Sequence, residues 1–160
     1  MLSKLESRWW LLLVPVLFAA HVAEEAPGYA RWFNSIVPGQ PIPEAGFLAA
    51  QWTPFLAAAF LGVAAAVTGS RWAGLILALW CSHFFFANAV YHLVASVALV
   101  TFSPGLVTGT LLYLPFFWWL GRRLVGQGVA LWALVLLVAF ASLPALLQTY
   151  MVMFERRRFY

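Results

Sequence analysis

The sequence predicts an all-α fold, a polytopic membrane helical bundle of about five transmembrane helices, in one domain over residues 1–160. Three observations predict it. Of the 160 residues, 64% are hydrophobic and only 9% are charged, with a mean hydropathy of +0.90. A soluble domain carries about 25% charged residues, so this chain cannot cover itself in water and must use lipid as solvent. The apolar residues fall into runs of about 20, the length of a bilayer-crossing helix. Finally, Arg, Trp, Gly and Pro gather where those runs end, as interfacial anchors and turns do.

The first run extends from Arg8 to Ala26 and stops at Pro27-Gly28. Pro15 inside it predicts a kink, which membrane helices tolerate when neighbours satisfy the freed carbonyl. Lys4, Arg8 and Phe18-Ala19-Ala20 resemble a signal peptide. The further apolar runs favour a retained anchor instead. Residues 27–45 hold Pro27, Pro38, Pro41 and Pro43 and read as an extended external loop folding back over the bundle.

Segment two, 44–67, is Ala-rich around Gly62, which suits close helix approach. Segment three, 71–101, has no internal turn residues and reads as a single long or tilted helix. Ser103-Pro104-Gly105 looks like an N-cap with proline at the first helical position, opening segment four over 104–120. Segment five covers 129–154, and Glu155-Arg156-Arg157-Arg158 follows it. The positive-inside rule hardly orients the chain, because basic residues divide almost evenly between the two sides. The terminal arginines favour an even number of crossings.

The chain has five acidic residues and no Asp, yet Glu24 and Glu25 sit together at the end of segment one, with His21 a turn earlier. Ionisable groups inside a membrane segment are costly and point to function. Positions three and four apart share a helix face, so His21, Glu24 and Glu25 can serve one pocket. Asn88 and His92 share a face of segment three by the same spacing. From Arg8, His21 lies about 20 Å and Glu25 about 26 Å along its helix; from Arg71, Asn88 lies about 26 Å and His92 about 32 Å. The two clusters therefore reach a common level in parallel segments. His83 falls on the face opposite His92 and reads as structural. Gln51, Thr53, Tyr91 and Gln148 are candidate cavity liners.

Two imidazoles and two carboxylates suit zinc or non-haem iron. The expected metal ligands are His21, Glu24, Glu25 and His92. Asn88 orients a ligand or substrate, and Glu24 and Glu25 serve as acid/base groups. Without metal, a carboxylate pair beside His is an acid/base device. Solvated carboxylates at a helix end, or hydrogen-bond glue between helices, account for the same residues without chemistry. Cys81, the lone cysteine, excludes an intramolecular disulfide and a thiolate cluster. The +4 charge lies at segment ends, not in a patch, and does not suggest nucleic acid.

His21-Val22-Ala23-Glu24-Glu25 and Asn88-Ala89-Val90-Tyr91-His92 resemble the HXXEE and NXXXH motifs of a bacterial membrane family of unknown function, the HXXEE domain family. Ser103-Pro104-Gly105-Leu106-Val107-Thr108 is also family-like. The resemblance implies a multi-pass protein of the inner, cytoplasmic membrane. The expectation is a metal-dependent membrane enzyme for a lipidic or apolar small molecule, with partners limited to the bilayer, that substrate and a homo-oligomer. A metal-free isomerase, or a transporter or binding protein for protons, metal or lipid, is the alternative.

Overall fold

A computed structural model describes residues 8–37 and 39–156. Lys4, Pro38 and the Arg157-Arg158 pair lie outside the described residues. The described chain is helical, with no strand. Six helices carry it: α1 (Trp10–Glu25), α2 (Tyr29–Ile36), α3 (Glu44–Thr68), α4 (Arg71–Leu99), α5 and α6 (Leu131–Glu155). α5 runs continuously through Leu106–Thr108, Gly109–Tyr113 and Leu114–Gly126.

α3, α4 and α6 are long and apolar enough to cross a membrane, and α1 with α2 forms a fourth candidate, bent by 62°. The expected number of crossings exceeds this count, because α5 does not meet the same criterion of length and composition. Only 17% of the apolar stretch of α3 and 11% of that of α6 is buried. Their outward faces, with Phe60 and Phe140 among the most exposed side chains, require apolar surroundings.

Pro15 sits near the start of α1. The turn before it, Trp10–Leu12, tightens to 3-10 geometry. Pro15 has no N–H to offer the Leu11 carbonyl. That carbonyl instead faces α3 at Gly62, where a Cβ would lie 2.8 Å from Leu11 O. Glycine at 62 is thus what lets α1 and α3 come together.

The proline-rich stretch is not a wholly extended loop. Its proline-free portion forms α2, which buries Ala30 and Phe33. Phe33 and Val37 pack on Tyr91, Ala95, Val152 and Met153, closing that end of the bundle. Tyr29, Phe33 and Val37 recur at helical spacing, and that period prevails over the flanking prolines. Asn34 then braces the following loop, donating to Ile42 O at 2.9 Å and accepting from Ile42 N at 2.8 Å.

α4 is one helix, capped by Ser70, whose Oγ accepts from Trp72 N. It widens to π geometry over Ser82–Ala87. There Ser142 Oγ of α6 donates to Ser82 O at 3.0 Å. Ser103 does not cap α5, which starts at Leu106 after Gly105 at φ +101°. The cap comes from α1, as described next.

Candidate metal centre

α1 and α4 bring three ionisable side chains into one buried cluster. His21 is 2% exposed, Glu25 4% and His92 0%. Glu25 Oε1 lies 3.1 Å from His92 Nε2 and 3.5 Å from His21 Nε2. One ligand atom from each of the three lies within 4.8 Å of the others. The two imidazole rings meet nearly edge-on, with centroids 5.2 Å apart. Beyond Glu25, neither Nε2 has another polar partner among the described residues. The two ring nitrogens thus converge on one carboxylate oxygen at ion-pair distance.

Glu24 is not part of this set. Its Oε1 accepts from Gly105 N and Val107 N, each at 3.1 Å. Its Oε2 accepts from Thr108 N at 2.8 Å and from Thr108 Oγ1 at 2.6 Å. Four donors converge on two oxygens, the pattern of an ionised carboxylate. Glu24 thereby caps the start of α5 from another helix and satisfies amides a helix N-terminus leaves open.

This anchor fixes the proton on His21. Thr108 has one hydroxyl proton, and it goes to Glu24. At 2.7 Å, His21 Nδ1 must then donate to Thr108 Oγ1. The assignment follows from the hydrogen-bond network. It leaves His21 Nε2 with its lone pair aimed into the cluster. A carboxylate acting through a partner on the remote nitrogen is how metal-binding imidazoles are oriented. His92 is held similarly, its Nδ1 2.8 Å from Ser103 Oγ. Ser103 N in turn donates to Ser96 Oγ.

Gly105 lies over both rings. A Cβ there would sit 2.6 Å from His92 Nε2 and 2.8 Å from His21 Cε1. Its positive φ already favours glycine. Tyr113 completes the wall, its ring 4.5 Å from that of His21 and stacked on Phe85 at 3.8 Å.

Beside the cluster is a cavity of about 410 Å³, with His21, Glu25, Asn88 and Tyr91 in its wall. Asn88 Oδ1 is buried and unbonded there, a polar group available to a guest. Gln51 and Gln148 line the same cavity, whereas Thr53 is exposed and away from it. His83 lines it too, while its Nδ1 lies 3.3 Å from Ala141 O of α6. The π turn between His83 and His92 adds a residue to the helical repeat and shifts their relative phase. Ser103, Gly105 and Thr108 were not read as site residues from sequence. Their signal was the Ser-Pro-Gly-x-x-Thr run, which resembled a local helix start.

Fold and site define an all-helical, membrane-type bundle with a buried His/Glu/His cluster held by a carboxylate-capped helix. The chain belongs to the family described as "Protein of unknown function with HXXEE motif", whose model matches residues 12–120. The matched segment contains the cluster, Glu24 and every anchor on the 103–108 turn. No curated protein and no solved structure matches the chain.

Proposed function

We propose that this is a metal-dependent enzyme of the bacterial cytoplasmic membrane, acting on a lipidic or apolar small molecule. His21, Glu25 and His92 hold one divalent ion, zinc or iron. The observation that carries this reading is the convergence of two buried Nε2 atoms on Glu25 Oε1, with no other polar partner among the described residues. Their separations from that oxygen, 3.1 and 3.5 Å, fit a metal shell. Ligands at about 2.1 Å in tetrahedral array stand roughly 3.4 Å apart. Three protein ligands leave a further position open, as in catalytic sites. The ion supplies Lewis acidity when bound.

The chain's own residues do the rest. Glu24 and Thr108 hold His21 in the ligating tautomer, and Ser103 holds His92. Asn88 orients the substrate in the adjoining cavity, whose Phe18, Phe33 and Phe47 walls exclude water. α5 is read as a fifth crossing, since its length of about 30 Å matches the hydrocarbon core. A homo-oligomer is compatible with the exposed apolar faces.

The test is metal content. Protein purified without chelator should carry a near-equimolar ion, and His92→Ala should lose it. Equal, trace metal in both would refute the metal reading.

The placement of Glu25 between the two imidazoles also favours a second reading. One carboxylate within reach of both rings can exchange protons with either, so a metal-free isomerase is chemically sound. Unchanged turnover after exhaustive chelation would select it.

A further inference from the structure

At the other end of the bundle, about 30 Å along α4 from His92, a basic pocket of about 690 Å³ opens between α4 and α5. Arg71, Arg122 and Arg123 line it, with Trp119 and Gln127. Among the described residues, no carboxylate lines it. Arg123 lies over the Trp119 ring at 6.0 Å. The Arg8 Nε is itself buried and unbonded. Three guanidinium groups thus gather beside an apolar rim.

A second, apolar groove of about 760 Å³ runs between α4, α5 and α6, walled by Phe86, Phe117, Leu131 and Val138. The two spaces adjoin at Arg122 and Gly126, which line both. A Cβ on Gly126 would enter open space, so glycine keeps the junction clear.

We infer that this slot seats an anionic, phosphate-bearing lipid, with its headgroup on Arg122, Arg123 and Arg71 and an acyl chain in the groove. The argument is one of charge and shape. Arginine forks match phosphate oxygens in two-pronged bonds, and interfacial basic pockets between helices attract anionic headgroups. A basic half adjoining an apolar half matches what a lipid has and free phosphate lacks. The inference is independent of the metal reading.

Quantitative mass spectrometry of lipid retained by the full chain in mild detergent tests it. Phosphatidylglycerol and phosphatidylcholine of identical acyl chains are offered, with and without excess inorganic phosphate. The wild type should retain phosphatidylglycerol about tenfold or more over phosphatidylcholine, and phosphate should not displace it. Joint Arg122→Gln and Arg123→Gln substitution should erase the preference, while Arg122→Lys keeps part of it. Gly126→Leu should lower retention with every arginine intact. Equal retention of the two lipids by the wild type overturns the inference, a result independent of how any variant folds. Displacement by phosphate, or unaltered retention in Gly126→Leu, overturns it too, leaving only an ion site or an unrelated binding face.

Discussion

Glu24 and Glu25 are neighbours in sequence and point in different directions. Consecutive residues on a helix do not face each other, so a carboxylate pair at i, i+1 cannot serve one ion from one turn. Glu25 shares the face of His21, four residues before it, and meets His92. Glu24 turns to the start of α5. Removing each should therefore fail differently. Glu24→Ala strands three amide donors and should cost about 2 kcal/mol, read as a lower thermal midpoint with reduced metal content. Glu25→Ala should remove the ion while α5 stays capped. Equal stability losses with retained metal in both would contradict these roles. Thr108→Val should weaken metal binding about 10–100-fold by releasing the His21 tautomer, and Thr108→Ser should restore it. Isothermal titration of the apoprotein checks both. At this scale the sequence exposed the costly groups, His21, the two glutamates, Asn88 and His92. It concealed Ser103, Gly105 and Thr108, because a small polar residue near proline and glycine looks like local capping. Their partners lie on α1 and α4, at sequence distances that no local pattern encodes.

The helices themselves were legible from apolar run length, and their ends from Gly, Pro and Arg. What was not legible was any feature decided by a neighbour. α2 forms within a proline-rich stretch because its apolar spacing finds Tyr91 and Val152 to cover. The π turn in α4 has no sequence mark, yet it moves His83 into the cavity wall. Gly62 is the exception, read as a close-approach residue and found against the Leu11 carbonyl. A side chain there must push α1 away, taking His21 and Glu25 with it. Gly62→Val should lower the thermal midpoint and the metal content together, measured on the same detergent-purified sample. Gly39, with open space around it, is the matched control and should tolerate alanine.

Across the whole molecule the two ends carry different chemistry. One end holds three ionisable groups sealed by α2 and the Gly105 turn; the other presents arginines to an apolar rim. The apolar, outward-facing helices α3 and α6 form the outside, and α1, α4 and α5 meet around the cluster. The central claim is that this meeting point is a metal shell. X-ray absorption at the metal edge of the as-purified protein tests it most directly. The account predicts nitrogen and oxygen neighbours at about 2.0–2.2 Å, with multiple-scattering features from imidazole that diminish in His92→Ala. A shell containing sulfur at about 2.3 Å, or imidazole scattering untouched by that substitution, would contradict it.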